Sequence, residues 1–467
     1  TQASSEHSIC VGIADKESTL AKYVIDKEFE NEISLFKIDP LVVETNLSII
    51  AIVGDQMKSH QGISGKMFST LGRNNINIRA IAQGASERNI SAIIAESDVE
   101  KALNCLHERF FESETKQINL FISGVGNVGK SLINQIEQQK KYIKSTLNVK
   151  LKVIGLSNSK KMVLDKTGIN LNDWESVLNN GKKSGPIDFF EATKSLNLRN
   201  SIFVDITASD MVASSYALYL KQSIAVVACN KIACSSKIEN YLELKQLSHK
   251  YNVPFLFETN VGAGLPVIDT LKHLINSGDK INTVHAVLSG SLNYIFNNYN
   301  KSTTFHDVVK QAQTEGYTEP DPRIDLSGVD VARKLLILAR ESGEMIDMNG
   351  IENEAFLPEE CMTANSVEAF YETLKSKEVH FQKFFTSAES NQCQLKYVSE
   401  YKDGVAKVGL KEIPEGHPFY NLEGKDNIVM FYTNRYKDQP MIIKGAGAGS
   451  EVTASGLFAD IIRISKN

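Results

Sequence analysis

Residues 117–131 read QINLFISGVGNVGKS, and the architecture of the chain turns on them. Residues 118–122 form an apolar run of the length of a buried strand. Gly124-Val125-Gly126-Asn127-Val128-Gly129 follows at once, and a long helix is predicted from there to about Ile143. In a dinucleotide-binding fold the three glycines have separate duties. Gly124 makes the tight turn, Gly126 lets the backbone approach a pyrophosphate, and Gly129 lets helix and strand pack closely. The helix start adds free N–H groups and the positive end of its dipole. The same residues also satisfy GxxxxGK[ST], from Gly124 to Ser131, and Ser201-Ile202-Phe203-Val204-Asp205 matches the apolar strand and Asp of a P-loop site. A glycine turn with no ligand is a third reading.

Downstream, residues 151–156, 202–206 and 224–228 are short apolar runs separated by helical stretches. Strands alternating with helices predict an open, Rossmann-type parallel sheet in an α/β fold. The second strand ends in Leu156-Ser157-Asn158-Ser159-Lys160-Lys161. No Asp or Glu stands there to take a ribose 2′-hydroxyl. Asn158, Ser159 and Lys160 suit a 2′-phosphate, which points to NADP, with NAD as the alternative.

Upstream, Leu47–Val53 reads as a strand and 62–73 as a helix with Ile63, Met67 and Leu71 on one face. Residues 76–81 and 90–95 read as strands, and 99–111 as a helix with Leu103, Leu106 and Phe110 on one side. This β-α-β-β-α order is one strand short of a ferredoxin-like unit; 117–122 would complete it but is assigned to the sheet that follows. Gln2-Ala3-Ser4-Ser5-Glu6-His7-Ser8-Ile9 recurs as Gln83-Gly84-Ala85-Ser86-Glu87-Arg88-Asn89-Ile90. Two copies of one unit are therefore expected, the first without its front half. The chain does not begin with Met, so it reads as a fragment or a processed chain.

The 467 residues suggest about three domains. Apolar content of 42% and charged content of 23% are those of a globular protein. A net charge of −5 gives no basic excess for nucleic acid. No apolar run approaches the ~18 residues of a membrane span. Thr1 to Glu6 lack the basic and apolar regions of a secretory signal. Six scattered cysteines without a CxxC pair fit a reducing cytoplasm, and nine histidines without an HxxxH pair suggest no zinc site.

Residues 312–334 read AQTEGYTEPDPRIDLSGVDVARK and contain five acids: Glu315, Glu319, Asp321, Asp325 and Asp330. Pro320 and Pro322 favour an extended middle. Ser327 or Asp325 is placed to cap a helix beginning near Gly328, on which Asp330 and Lys334 share a face. One reading is an acidic loop and a surface helix with one salt bridge. The other is a cradle for an amino-acid substrate, with carboxylates for its ammonium group and a lysine for its hydroxyl.

This segment resembles, without a gap, the homoserine dehydrogenase pattern A-x3-G-[aromatic/aliphatic]-[small]-x2-D-P-x2-D-[LIVM]-x-G-x-D-x3-K. Asp205-Ile206-Thr207-Ala208-Ser209 resembles the family's third-strand end beside the nicotinamide, and Asn230-Lys231 its Asn-Lys pair. Glu258-Thr259-Asn260-Val261-Gly262-Ala263-Gly264-Leu265-Pro266 is similar to its ExxVGAGLP loop, which supplies sodium ligands in some members. Leu288 to Ile295 resembles its strand-to-helix region, and Gly445 through Gly449 to Thr453 its return to the cofactor. The upstream units resemble paired ACT domains, so the whole is similar to the C-terminal portion of a bifunctional aspartokinase–homoserine dehydrogenase.

The resemblance implies reversible, NAD(P)-dependent interconversion of L-homoserine and L-aspartate 4-semialdehyde. Lys334 and Lys231 become the proton-transfer residues, and Glu319, Asp325 and Asp330 the substrate-binding ones. Gly124, Val125, Gly126, Asn127, Val128, Gly129, Asn158, Ser159, Lys160, Thr207, Ala208, Lys231, Gly449 and Thr453 would hold the cofactor. Glu258, Val261, Ala263 and Leu265 would hold sodium, through carbonyls and one carboxylate. Gln2 and Gln83 match the glutamines implicated in threonine binding in the plant enzymes. The implied domains are a truncated ACT unit (1–41), an ACT domain (42–115), a dinucleotide-binding domain (116–258), an α+β substrate-binding and dimerisation domain (259–435) and a C-terminal return (436–467). A homodimer or larger homo-oligomer in the cytoplasm is expected.

Overall fold

The computed structural model describes residues 2–4, 9–54, 57, 61–82, 89–111 and 115–466. Its contacts gather into two units, one of residues 1–118 and 194–201, the other of 119–193 and 202–467.

In the first unit, β1 (Gln2–Ser4) and β2 (Ile9–Val11) pair antiparallel. Helix α1 (Ser18–Glu28) has no buried residue. Then come β3 (Leu47–Val53), α2 (Ile63–Arg73), β4 (Ala80–Ala82), β5 (Asn89–Ala95) and α3 (Val99–Phe110). Their sheet has the order β3-β5-β4 and is antiparallel. The period of two along a strand turns Ile50, Ile52, Ile90, Ala92 and Ile94 inward, onto Met67 and Leu71 of α2 and Ala102 and Leu106 of α3. Two expectations are corrected here. The strand at 76–81 shrinks to Ala80–Ala82, because Asn75 takes a left-handed φ of 58° and the Ile76 N–H returns to the Leu71 carbonyl (3.0 Å). That closes the end of α2 and buries Ile76 before the sheet begins. On α3 the buried face is Ala102, Cys105 and Leu106, and Leu103 is exposed. Gln83 and the side chain of Gln2 lie outside the described residues.

The second unit is built on two sheets. The first contains β6 (Lys116–Ser123), β7 (Val149–Ser157), β8 (Lys161–Leu164), β9 (Lys182–Lys183), β10 (Ser201–Asp205), β11 (Ala225–Ala228) and β12 (Phe255–Leu256). Their order is β12-β11-β10-β6-β7-β8-β9. Strands β10, β11 and β12 run parallel, and β10 and β11 are buried along their whole length, as a sheet covered on both faces requires. The expected parallel sheet ends in an antiparallel edge, β7-β8-β9. The cause is Asn158: its Oδ1 accepts the N–H groups of Lys160 and Lys161, both at 2.8 Å, and reverses the chain directly after β7. Strand β6 is central, with β7 on one side and β10 on the other. The strand order reverses there, and ligands of such sheets bind at this switch point.

The second sheet contains β13 (Ile281–Val287), β14 (Ile351–Glu354), β15 (Cys393–Lys402), β16 (Val405–Pro414), β17 (Asp426–Thr433) and β18 (Met441–Ala446), in the order β14-β16-β15-β13-β17-β18. The helices that position the site are α4 (Asn127–Leu147), α5 (Ile232–Ser235), α6 (Val267–Asn276), α7 (Gly290–Asn298), α8 (Arg323–Leu326), α9 (Val329–Glu341) and α10 (Ser450–Ser465). Helices α7 and α9 pack on the second sheet, and α10 lies along α4. No described helix is long and apolar enough to cross a membrane.

Helix α9 begins at Gly328, in the left-handed region with φ 70°. A Cβ there would stand 2.0 Å from the hydroxyl oxygen of buried Tyr397. That hydroxyl donates to Asn353 Oδ1 (2.9 Å), and Asn353 Nδ2 donates to the Ser327 carbonyl (2.9 Å). The Ser327 hydroxyl accepts from the Val329 N–H at 3.2 Å, whereas Asp325 caps nothing here. Pro322 is helical rather than extended, because it starts α8.

Glu258 links β12 to α6. One carboxylate oxygen accepts the Ile268 N–H (2.6 Å) and the other the Asp269 N–H (2.9 Å), so both serve the helix start. Arg463 of α10 stands 3.7 Å away, and Asp460 accepts the Glu258 N–H at 3.1 Å. The carboxylate is thus engaged by the helix start and stands beside the Arg463 guanidinium. The Glu258 and Leu265 carbonyls also accept N–H groups, from Val261 and Val267, which leaves Val261 and Ala263 as the less committed donors.

Burial pushes the Glu258 carboxyl up to about 7 and that of Asp460 up to about 6. The folded state thus holds these protons more firmly than the unfolded chain, whose carboxyls titrate near about 4. Their contribution to stability is complete below that pH and is lost as pH rises through about 7. Glu258→Gln removes one of the two titrations, so its Tm should fall less than that of the wild type between about pH 5 and 7. An equal fall in both proteins would show the carboxyl to be ionised throughout. Gly328→Ala should cost about 1–3 kcal/mol by urea unfolding, through overpacking against Tyr397; an unchanged midpoint would mean that the tyrosine moves freely.

Candidate active site

The glycine loop is shaped by what surrounds each glycine. Gly124 has φ 98°, and a Cβ there would stand 2.7 Å from the Ile206 carbonyl group. A Cβ on Gly129 would stand 2.3 Å from the Gly124 oxygen, so helix and strand meet there with no room for a side chain. A Cβ on Gly126 would meet nothing within 4 Å, which leaves open space beside the backbone. Gly126 is also the N-cap of α4 and has no side chain to cap it, so the first N–H groups of Asn127, Val128 and Gly129 have no capping side chain. This cradle fits a pyrophosphate. At the end of β7, Ser159 and Lys160 are exposed, while the Asn158 carboxamide is taken by the turn and the Lys161 ammonium by the Asn179 carbonyl.

The P-loop alternative loses its carboxylate, and its lysine has a partner on the surface. Lys130 pairs with Glu175 at 2.8 Å. Asp205 is wholly buried and accepts from the Tyr216 hydroxyl (2.6 Å), Asn230 Nδ2 (3.0 Å) and the Thr207 N–H (2.7 Å). Asn230 also donates to the Ser209 carbonyl (3.0 Å) and accepts the Ile232 N–H (3.1 Å). Asp205 thus ties the end of β10, which carries Thr207 and Ala208, to the turn that carries Lys231. Burial raises its carboxyl above the ordinary value, and these bonds oppose the rise.

Lys231 precedes α5, and its Nζ stands 3.2 Å from Asp330 Oδ1. Lys334, one turn beyond Asp330 on α9, places its Nζ 2.9 Å from Asp330 Oδ2. The Lys334 Nζ also donates to the Leu288 carbonyl at the end of β13 (2.7 Å). One carboxylate thus holds two ammonium groups. Burial would raise Asp330, but Lys334 and Lys231 outweigh it and hold the carboxyl well below the usual range. Burial pushes the Lys334 ammonium below its ordinary value, Lys231 adds to this by like charge, and Asp330 opposes both.

The remaining acids of 312–334 divide. Glu315 is bonded to Tyr294 and Gln311, and Asp321 to Arg323, so both brace the loop. Asp325 faces inward: it accepts the Glu319 N–H at 2.8 Å and lies 2.8 Å from Ser291 Oγ. Burial raises its carboxyl. The Glu319 side chain is exposed. Asp330, Lys334, Lys231, Asp325 and the Glu319 backbone therefore come together, and Gly124 touches Thr207. Gly449, with φ 129°, starts α10, and Gln135 Nε2 of α4 donates to the Glu451 carbonyl (2.9 Å), so this start lies over the dinucleotide helix; Thr453 follows in its first turn. The Leu288 carbonyl, Ser291, Asp460 and Arg463 had no individual role in the sequence reading. Nothing local marks them, since their contacts span tens to hundreds of residues.

Family models described as "Homoserine dehydrogenase, NAD binding domain", "Homoserine dehydrogenase" and "ACT domain" match residues 124–258, 266–462 and 50–110. A bifunctional aspartokinase/homoserine dehydrogenase of Zea mays is 41% identical over the whole chain, which covers 51% of that protein. One from Haemophilus influenzae is 40% identical over 99% of the chain, covering 57% of that protein. The chain thus spans about half the length of these bifunctional relatives. The homoserine dehydrogenase of Schizosaccharomyces pombe is 35% identical over 74% of this chain and 95% of its own. A solved Candida auris protein of unknown function is 34% identical, with TM-score 0.68 over 75% of this chain and 98% of its own. A hyperthermophilic archaeal homoserine dehydrogenase in complex with NADPH is 25% identical, with TM-score 0.58 over 74% and 97%. The chain belongs to the homoserine dehydrogenase family.

Proposed function

We propose that this chain interconverts L-homoserine and L-aspartate 4-semialdehyde, with NADP as the hydride carrier. The single observation that carries the reading is the Asp330 carboxylate held between Lys231 and Lys334. A nicotinamide seated on the glycine cradle supplies the acceptor for the hydride that leaves the hydroxyl-bearing carbon. The chain must then take the hydroxyl proton. Lys334 does so in its neutral form, which burial and the nearby Lys231 favour. Its bond to the Leu288 carbonyl fixes the direction of its Nζ. In the reverse direction its ammonium returns the proton to the aldehyde oxygen.

Asp325 and Glu319, with Asp330, receive the substrate's ammonium group. Asp325 is aimed by the Glu319 N–H and Ser291. Ser159 and Lys160 favour a 2′-phosphate. No step depends on a cation at the Glu258 loop. The ACT region adds a regulatory amino acid, threonine, as part of this proposal.

Lys334→Ala and Lys231→Ala should each lower kcat by roughly 100-fold, the scale of a lost acid–base group. Formation of reduced cofactor from homoserine measures this, and near-normal turnover would remove that lysine from the mechanism. The wild-type chain should also show a higher kcat/KM with NADP⁺ than with NAD⁺. The reverse order would sink the assignment of Lys160 to the 2′-phosphate.

A further inference from the structure

Resting on that reading, we infer that Lys425 is the residue that binds the substrate's carboxylate. Homoserine is a zwitterion, and the acids above account for only its cationic end. A cation that no acid already pairs would suit its anionic end. Lys231 and Lys334 share Asp330 and are placed at the reacting hydroxyl. Arg323 is held by Asp321, at 2.6 Å from its Oδ2, and by the Ala364 carbonyl. Lys425 is exposed, and among the described residues no acid comes within ion-pair distance of its ammonium.

Its place is fixed even though its head group is free. Buried Lys396 of β15 donates to the Leu422 carbonyl (2.7 Å) and to Asn297 Oδ1 (2.5 Å). Asn293 Nδ2 donates to the Gly424 carbonyl (3.1 Å). The turn before Lys425 is thereby pinned to α7. A Cβ added to Gly290, the first residue of α7, would meet the Lys425 carbonyl oxygen at 3.0 Å and its Cβ at 3.2 Å. From there the Lys425 Nζ reaches over the Tyr317 ring, 5.8 Å from its centroid. Tyr317 stacks on Tyr294 at 4.1 Å, and its carbonyl lies 2.6 Å from Ser291 Oγ, the hydroxyl that also meets Asp325. The ammonium of Lys425 thus stands over the residue that adjoins the proposed ammonium site. A cation 5.8 Å from the centroid of a half-buried ring is held weakly, and a carboxylate competes with the ring for it.

The test is steady-state kinetics of the full chain with homoserine and NADP⁺. Lys425→Met keeps the length and apolar stem of the side chain and removes its charge. It should raise the homoserine KM about tenfold with kcat and the cofactor KM little changed, the signature of lost uniform binding. Lys425→Arg should recover most of that affinity. The amino alcohol that is homoserine without its carboxylate should inhibit wild type and Lys425→Met equally. An unchanged homoserine KM in Lys425→Met, or a loss of affinity for the amino alcohol as large as that for homoserine, overturns the role of Lys425 while leaving the dehydrogenase reading intact. A wild-type chain that reduces neither NADP⁺ nor NAD⁺ with homoserine overturns both.

Discussion

The site is organised by a charge imbalance around Asp330. Two ammonium groups, at 3.2 and 2.9 Å, share this one carboxylate. Lys231 arrives from the end of the dinucleotide sheet, and Lys334 from a helix packed on the second sheet. A carboxylate bridging two elements from different layers adds direction to the distance that apolar packing sets, because hydrogen bonds to a charged group depend on orientation. Burial lowers the proton affinity of Lys334 and the neighbouring Lys231 adds to this by like charge, while the Asp330 carboxylate that holds the layers together opposes both.

Other parts of the fold hold that arrangement in register. Gly328 accepts the left-handed turn that starts α9, and the Tyr397–Asn353–Ser327 chain of hydrogen bonds braces it. The Leu288 carbonyl ties Lys334 to the end of β13. Asp205 and Asn230 fasten the neighbouring strand ends of the dinucleotide sheet. The Leu288 carbonyl, Asp205 and Asn230 are buried polar groups that find their bonds only when the surrounding elements are correctly placed, so the network specifies one geometry.

Much of this was legible in the chain. The glycine loop and the strands of the dinucleotide sheet could be read because their residues are consecutive and their periods are short. Lys334 could be assigned to Asp330 because four residues on a helix make one turn. The five acids of 312–334 could not be sorted that way. Their spacing allows all of them to face a ligand, yet Glu315 and Asp321 brace the loop while Asp325 turns inward. Leu103 was misplaced for a related reason: helical spacing gives a face but not which face meets the sheet.

The sequence by itself determined the glycine loop and the alternation of strands and helices around it, because backbone conformation and helix or strand period act over a few neighbouring positions; the ACT-type unit came from resemblance to a family. Only the tertiary structure decided that Lys231 joins Asp330 across 99 residues, that the Glu258 carboxylate serves a helix start, and that the sheet turns antiparallel at Asn158. The glycine loop first admitted two nucleotide chemistries. The burial of Asp205 among protein partners and the pairing of Lys130 with Glu175 weigh against one of them. A charge or a hydrogen-bonding group carries no record in sequence of the distant group that will satisfy it; folding makes that choice through burial, where each polar atom must find a mate or lose stability.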